Sequence, residues 1–586
     1  MDFFEQQELC RRNSRWLVVW FLLAAALTVA SYGIAGALAC AAFHLYAEGT
    51  ARVPWQFPAG IAALFGSCIL AVSAYRLWQL RAGGHVVAEL LGARYIDPEK
   101  CNPTERRLLN VVEEMAIASG VSVPPLYVLL HEQAVNGLVA GHSPNEAVLV
   151  MTRGAMEKLS RDELQGVVGH EFSHILNGDM VLNLRLAGLL AGLTWLGEQG
   201  EKMVYSAARQ ARGVPREKQG GEALVALIGA LVAFIGFPGT LAATAIKAAI
   251  SRQREFLADA ASVQFTRNPE GIAGALDSIL ALPAHTVVLA AYAEGLSHMF
   301  FAPAVAHWWG FPTHPPIAER IYRAHPRFQR DDYRATRHGR RREVAVIDGG
   351  GNVVKHVRAD ALQVLASIGQ PTPRHVDFGA RLLARLPGRL REALHSPEQA
   401  QLAMFALGGF AGRSGDLDVY VNTLAREHML SLAELAVPAI KSQSQKTRDA
   451  FLAEFAALVE ADRRVTLREF VLLTFLRQRL REGAGLPIAT RYRKLAEVEH
   501  DLHAVLSLLA RASGESAGGE APSGAAVGAA LERLRHLAPF EKPRVLKACL
   551  EAAHADGKIS LAEGELVRMV AATLDCPVPP ILADAA

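Results

Sequence analysis

The sequence predicts a mainly α-helical membrane protein with a small α+β domain between its membrane segments and a helical region at its C-terminal end. Hydrophobic residues make up 51% of the 586 residues and charged residues only 20%, a more apolar balance than soluble proteins usually have. The excess lies in long uncharged blocks, which are typical of membrane helices. The net charge of +3 is nearly neutral for this length, and the chain carries no nucleic-acid motif, so nucleic acid is not an expected partner.

Residues 1–84 are predicted to form a transmembrane hairpin. Residues 16–43 carry no charge over a length that crosses a bilayer, and residues 53–75 form a second block of this kind. The first block is too long for the core of a signal peptide. Arginines flank the hairpin before and after it: Arg11, Arg12, Arg15, Arg76, Arg81 and Arg94. The connecting loop has only Arg52, so the positive-inside rule places both ends of the hairpin in the cytoplasm.

The pattern that follows the hairpin is mixed α/β. Residues 104–119 have the spacing of an amphipathic helix, and residues 125–130 and 147–152 that of short strands on either side of Asn136. The free edge of a strand can bind an extended polypeptide through main-chain hydrogen bonds. The sequence therefore predicts a small sheet with a possible peptide-binding edge.

The most informative motif is His170-Glu171-Phe172-Ser173-His174, an HExxH sequence. Ser160 and Glu163 have the spacing of a capping box, and the apolar residues after them recur at helical intervals. On a helix, histidines four residues apart project from one face and can bind a single Zn²⁺, while Glu171 lies beside them as a base. The alternative interpretation is a helix whose histidines only pack or face solvent.

A third ligand is available between residues 251 and 260. Glu255 and Asp259 are again four residues apart, so they share one face of a helix. Glu255 could complete a tetrahedral site, and Asp259 could accept the second ring N–H of a ligand histidine and fix its tautomer. Without the HExxH motif, the same spacing would indicate only a solvated acidic face.

Two further hydrophobic segments surround this motif, at about residues 182–196 and 223–246. The first is short and contains Arg185, which costs about 2.5–3.5 kcal/mol at the centre of a membrane helix. The second contains Pro238, which should kink it. If both segments span the membrane, the basic loop between them lies on the outer side, which is contrary to the positive-inside rule. We favour two spanning segments, and a re-entrant hairpin is the alternative. We expect the HExxH helix to run directly into the first of these segments.

Four motifs in this order resemble the HtpX-like membrane zinc metallopeptidases, the family that also includes the CAAX prenyl proteases. They are the HEFSH sequence, the REFLADAAS sequence that contains Glu255, the stretch Thr313 to Ile321, and the stretch Gln133 to Gly141, which is similar to the family's "NAFA" strand. The last departs from the pattern, with Gly137 and Leu138 where alanine and phenylalanine are usual. The resemblance covers about residues 85–325 and implies a gluzincin-type α+β domain at residues 85–327, with one Zn²⁺ held by His170, His174 and Glu255, and Glu171 as general base.

The resemblance also implies roles for residues that spacing alone leaves open. His314, in the "HPP" sequence, is expected near the cleft as an oxyanion donor, or else only as a helix-entry residue. Arg320 would anchor the same helix by pairing with an acidic residue such as Asp259, or else lie on the surface. Asn136 and Gly137 are expected to line the substrate-binding edge.

The chain changes character after about residue 327. Residues 328–360 are predicted to form a basic linker, either near anionic lipid headgroups or simply solvated. Residues 361–586 are predicted to be helical, with a flexible insert at about residues 512–525. Residues 460–469 and 554–563 repeat a pattern similar to TerB-like helical domains. The repeat lacks the ligand positions of an EF-hand, so no Ca²⁺ site is expected, and the cysteine spacing predicts no disulfide framework.

Together these features predict a zinc endopeptidase at the cytoplasmic face of a bacterial inner membrane. The resemblance implies polypeptide substrates, especially misfolded membrane proteins, and a role in protein quality control. One alternative is an inactive membrane scaffold that recruits partners through its helical tail, although the complete set of metal-binding residues argues against it. Another is a protease that processes prenylated CAAX termini. The tail could also mediate homo-oligomerisation or bind a regulatory partner.

Overall fold

The computed structural model of the chain is predominantly helical. The residues that the structure describes are 3–48, 53–211, 220–281, 288, 290, 292–304, 314–336, 356–357, 364, 366–410, 412–423, 428–461, 465–481, 488–512, 523–555 and 559–581. Up to residue 336, the helices in chain order are α1 Phe3–Glu48, α2 Gln56–Leu80, α3 Gly84–Leu90, α4 Pro103–Ser119, α5 Arg153–Lys158, α6 Arg161–Asn177, α7 Asp179–Ala211, α8 Gly220–Thr266, α9 Pro269–Leu280, α10 Ile317–Ala324 and α11 Arg330–Thr336.

Four of these helices are long and apolar enough to cross a membrane. The candidate spans are Trp16–Ala47 in α1, Gln56–Leu80 in α2, Asp179–Gln210 in α7 and Gly221–Thr266 in α8. The helices pack on one another, with α7 against α8, α2 against α7 and α1 against α2. The two N-terminal spans thus agree with the sequence prediction, and the central pair is more extensive than predicted.

The central pair corrects two expectations, and the kink expected at Pro238 stays a prediction. The predicted short segment 182–196 belongs to a helix of 33 residues, α7, in which Arg185 is exposed. Helix α8 continues through Pro238 without interruption. The HExxH helix does not run directly into α7, because Gly178 ends α6 in a left-handed conformation with φ 74°.

Glycines explain why α7 and α8 pack so closely. A Cβ atom on Gly236 would lie 2.2 Å from the backbone nitrogen of Gly197, and one on Gly200 would lie 2.2 Å from that of Ala233. Such small residues let two helix backbones approach within a membrane. The glycines beside Pro238 therefore serve the contact with α7.

A four-stranded sheet lies beside the HExxH helix. Its strands are β1 Arg94–Tyr95, β2 Leu126–Leu129, β3 Gly137–Ala140 and β4 Val148–Thr152, in the order β1-β2-β4-β3. Strands β2 and β4 are parallel, and the other pairs are antiparallel, with Leu138 opposite Val150. The predicted Asn136 segment thus becomes the edge strand β3, which contacts α6.

The helical region after residue 356 packs directly on the part of the chain before residue 337. Its elements are β5 His356–Val357, α12 Pro373–Arg385, α13 Gly388–His395, α14 Pro397–Gly408, α15 Leu417–Thr423, α16 Met429–Lys441, α17 Gln445–Glu460, α18 Leu467–Leu480, α19 Glu499–Ala512, α20 Gly524–Leu534, α21 Lys542–Ala553, β6 Ile559–Ser560 and α22 Leu561–Thr573. Helix α12 lies on α4, and buried residues of both parts, among them Met115 and Leu383, form one hydrophobic core. On α13, Arg391 and His395 contact Glu113 of α4 at 3.1 and 2.5 Å.

The structure also refines the predicted linker, insert and repeat. The start of the basic stretch is helix α11, where Arg334 pairs with Asp277 of α9 at 2.7 Å, and residues 337–355 lie outside the described part of the chain. Within the predicted insert, residue 512 ends α19 and residue 524 begins α20. Both copies of the repeat open a helix with a capping box, at Thr466 and Ser560.

Candidate metal centre

The two histidines of the HExxH motif meet on one buried face of α6. The helix begins at Arg161 because Ser160 and Glu163 form the predicted capping box, with Ser160 N–H donating to Glu163 at 2.7 Å. His170 and His174 then lie one turn apart, and their Nε2 atoms are 3.1 Å from each other.

Glu255 reaches the same point from α8. Its carboxylate oxygens lie 3.8 Å from Nε2 of His170 and 3.7 Å from Nε2 of His174. One ligand atom from each of the three residues lies within 4.8 Å of the others, and all three residues are buried. The sequence-predicted ligand set is therefore brought together.

The hydrogen bonds on the far side of each ring fix the tautomers. Nδ1 of His170 lies 3.0 Å from Asp259, and Nδ1 of His174 lies 2.8 Å from Asp179. Because a carboxylate only accepts, each Nδ1 carries the proton and each Nε2 presents a lone pair. Two lone pairs 3.1 Å apart beside a carboxylate fit a bound cation, and the two-nitrogen, one-oxygen donor set suits Zn²⁺.

Asp179 is a functional residue that sequence reasoning missed. It is the first residue of α7, immediately after the glycine that ends α6, and Arg254 holds its other oxygen at 2.7 Å. The turn at Gly178 is what brings the carboxylate back to His174. A glycine cap followed by an acidic residue is the only signal that the sequence offers.

Arg320 binds Asp259, the carboxylate that contacts His170. Its Nε and Nη2 atoms each donate to Asp259 at 2.8 Å, and Nη1 donates to the Phe301 carbonyl at 2.6 Å and lies 3.2 Å from Glu255. The side chain is fully buried, which lowers its pKa, but the charge and hydrogen bonds of Asp259 outweigh burial and raise it. The structure thus places Arg320 in the predicted pairing with Asp259.

Glu171 is buried beside the metal ligands and is 1% exposed. Among the residues that the structure describes, neither carboxylate oxygen makes a hydrogen bond of ordinary geometry, although the Val139 backbone lies near enough to interact with the carboxylate. Burial, the largest cause, raises the pKa of Glu171 to about 8. Such a carboxylate is suited to taking up a proton.

His314 lies behind Glu255. One ring nitrogen is 3.2 Å from the Glu255 carboxylate, and the other is 3.0 Å from the carbonyl of Ser297. An oxyanion donor needs an N–H group that no protein acceptor occupies, whereas both nitrogens of His314 face protein acceptors. The arrangement therefore supports a role in holding Glu255 rather than the predicted oxyanion role.

Asn136 and Gly137 join the edge strand to the segment around residue 301. The Asn136 side chain donates to the Ala302 carbonyl at 3.0 Å and accepts from the Ala302 N–H at 3.1 Å. The carbonyl of Gly137 accepts from the Phe301 N–H at 2.8 Å. The buried Asn136 side chain thus fixes the strand and is not presented to a substrate. A Cβ atom on Gly137 would lie 2.5 Å from Sδ of Met151, so a larger residue here would require the Met151 side chain to move.

Comparisons with known proteins agree with this site. The sequence model of Peptidase family M48 matches residues 102–327. A "Protease HtpX homolog" of Streptococcus thermophilus is 34% identical over 274 residues, which cover 44% of this chain and 86% of the relative. A homologue of the same name from Streptococcus pneumoniae strain Hungary19A-6 is 34% identical over 254 residues, covering 42% of this chain and 81% of the relative. No solved structure matches.

Proposed function

The chain belongs to the HtpX-like membrane zinc metallopeptidases of family M48, and from this premise we propose that it is an endopeptidase of membrane and misfolded proteins. The observation that carries the proposal is the meeting of two Nε2 lone pairs with the Glu255 carboxylate. Zn²⁺ held by His170, His174 and Glu255 would polarise a peptide carbonyl and acidify the attacking water.

The protein's own residues supply the proton transfers. Glu171, buried beside the three metal ligands, would take a proton from the attacking water and pass it to the leaving amine. Asp259 and Asp179 keep the two histidines in the tautomer that leaves Nε2 free for the metal.

The edge strand β3 provides a place for an extended polypeptide. Successive peptide groups of a strand point in opposite directions. Gly137 turns its carbonyl away from β4 toward Phe301, so Val139, two residues on, turns its peptide groups to the same side of the strand, where its backbone interacts with Glu171. A substrate that pairs with Val139 would lie beside the general base, and main-chain pairing gives affinity with modest sequence selectivity.

The four apolar helices support the proposed location in a bacterial inner membrane as a multi-pass protein. The arginines at both ends of the N-terminal hairpin favour a cytoplasmic active site, which is consistent with a role in protein quality control. We also propose that the TerB-like region after residue 361 binds a regulatory partner or a second copy of the chain.

The decisive experiment compares wild-type protein with Glu171→Gln in detergent, with zinc content and cleavage of an unfolded substrate measured together. Glutamine keeps the three ligands, so both proteins should hold about one zinc. Cleavage should fall by at least about 100-fold, as expected for a lost general base. Glu157→Gln, which alters an exposed glutamate paired with Arg153, is the matched control and should cleave normally. Zinc in both proteins with no cleavage by wild type would favour the inactive scaffold, and absence of zinc from both would refute the metal centre.

A further inference from the structure

Residues 292–302 form a segment, here called the strap, that links the membrane helices to the metal centre. The strap begins at Tyr292, whose φ of 63° is unusual for an aromatic residue. Two cations lie over the Tyr292 ring: Arg76 of α2 is 4.5 Å from its centroid and Lys202 of α7 is 5.1 Å away. The first residue of the strap therefore contacts two membrane helices.

Lys247 holds the next turn of the strap from inside the helix pair. Its Nζ atom donates to the carbonyls of Glu294 and Gly295 at 3.2 and 3.3 Å, and the side chain is only 2% exposed. The carboxylates of Glu198 and Glu294 lie near enough to interact with its charge. A lysine inside a membrane helix is costly unless it is paired within the protein, so this position is specified by the contact with the strap.

The far end of the strap supports the residues that hold Glu255. The Ser297 carbonyl lies 3.0 Å from the ring of His314, and the Phe301 carbonyl accepts from Arg320 at 2.6 Å. His314 and Arg320 both contact the same oxygen of Glu255, each at 3.2 Å. Lys247 also precedes Glu255 by two helical turns on α8, so the two side chains project from one face.

We propose that Lys247 is a positioning residue for the metal centre, an inference that rests on the proposed peptidase function. By binding the carbonyls of Glu294 and Gly295 to α8, Lys247 fixes the position of the strap relative to Glu255. The carbonyls of Ser297 and Phe301 then hold His314 and Arg320 against the Glu255 carboxylate. Hydrogen bonds from an ammonium group are stronger than neutral ones, which suits a contact that holds a backbone turn in place.

The test uses the full chain in detergent with three variants. Lys247→Met keeps the length of the side chain but removes its donors, and Lys247→Arg restores donors that can reach two carbonyls. Gln253→Met, at an exposed position of the same helix, is the matched control. Amide hydrogen exchange of residues 292–302 is measured together with zinc affinity and with kcat and KM for an unfolded substrate.

In Lys247→Met, exchange across the strap should accelerate at least about tenfold, because exchange reports local opening. We expect kcat and zinc affinity to fall about 10-fold, the lower end of the effect of losing an outer partner of a metal site, because Lys247 acts on such partners only through the strap. KM should change by less than about twofold. Lys247→Arg should recover most of kcat, and Gln253→Met should match wild type.

Unchanged exchange in Lys247→Met would overturn the inference, and so would faster exchange with unchanged kcat and zinc affinity. Failure of the arginine variant to recover any activity would also count against it. A wild-type protein without zinc and without cleavage would refute the proposed function and the catalytic half of this inference. The exchange rates would still decide whether Lys247 holds the strap.

Discussion

Each histidine of the metal centre donates Nδ1–H to a buried carboxylate, and each carboxylate is fixed in turn by an arginine. His170 is backed by Asp259 and Arg320, and His174 by Asp179 and Arg254. The two arms are chemically alike although they come from different elements. Carboxylates in this position orient the ring and raise its basicity as a ligand. Asp179, which the sequence did not predict, should therefore affect zinc binding as much as Asp259 does.

We therefore predict that Asp179→Asn weakens zinc binding about 10–100-fold, as outer-partner substitutions usually do, while the protein stays folded. The amide lacks the charge that keeps the proton on Nδ1 of His174. Zinc affinity would be measured by competition with a chelator, with helical content as the check on folding. The exposed Asp377→Asn on α12 is the control. Equal zinc affinity in Asp179→Asn and wild type would contradict the assigned role.

At the scale of elements, helix α8 contains both a candidate membrane span and Glu255, one of the three candidate metal ligands. The same helix carries the apolar segment, Lys247, Glu255 and Asp259, and it packs along the length of α7, whose first residue is Asp179. The glycines between α7 and α8 therefore set the distance between the two helices that hold the outer carboxylates. A change in this packing should alter both the free energy of unfolding and the affinity for zinc.

We predict that Gly236→Ala destabilises the protein by about 1–3 kcal/mol, as overpacking usually does, because its Cβ would lie 2.2 Å from the Gly197 backbone. Gly60→Ala in α2 is the control, since nothing lies within 4 Å of its Cβ, and alanine favours a helix more than glycine does. Unfolding free energies would be measured in mixed micelles. Similar effects of both substitutions would contradict the close helix contact.

At the scale of the whole molecule, the C-terminal helices are part of the same packed body as the peptidase domain. Helix α12 covers α4, and Glu113 of α4 is buried between Arg391 and His395. A Cβ atom on Gly120, at the end of α4, would lie 2.0 Å from the Val578 carbonyl. Helix α4 also packs against the HExxH helix, and α12 contacts α8 directly, so the C-terminal helices touch the elements that surround the metal centre.

The environment of His375 predicts that the packing of α12 depends on pH. Burial, followed by the charge of Arg568, lowers the pKa of His375 to about 4, and its Nδ1 accepts the Thr372 N–H at 2.9 Å at the start of α12. The folded state therefore binds a proton at His375 more weakly than the unfolded chain does. The contribution of neutral His375 to the stability of the fold is complete above the unfolded pKa of about 6.5. It is then lost as the pH falls toward 4.

We expect the melting temperature of wild type to fall between pH 7 and pH 5 by more than that of His375→Gln, whose carbonyl accepts without titrating. Thermal unfolding at the two pH values measures this difference, with the exposed His503→Gln as control. An identical pH dependence in wild type and His375→Gln would rule out His375 as the titrating group.

The sequence by itself determined the features that depend on near neighbours. The capping box, the four-residue spacings in α6 and α8, the uncharged N-terminal blocks and the repeated helix starts are all local patterns, and local periodicity survives in a sequence. From these alone the ligands His170, His174 and Glu255 could be named, together with Glu171 as the base. Even Asp259 follows from its spacing to Glu255.

Only the tertiary structure decided which distant groups meet. Asp179 and Arg254 are 75 residues apart, and His314 and Glu255 are 59 apart, so no periodicity connects them. The left-handed turn at Gly178, the glycine contacts between α7 and α8, and the strap held by Lys247 bring these groups together. The packing of the C-terminal helices on α4 could not be predicted from the sequence either. An apolar helix face has the same sequence pattern whether it packs within its own domain or on another.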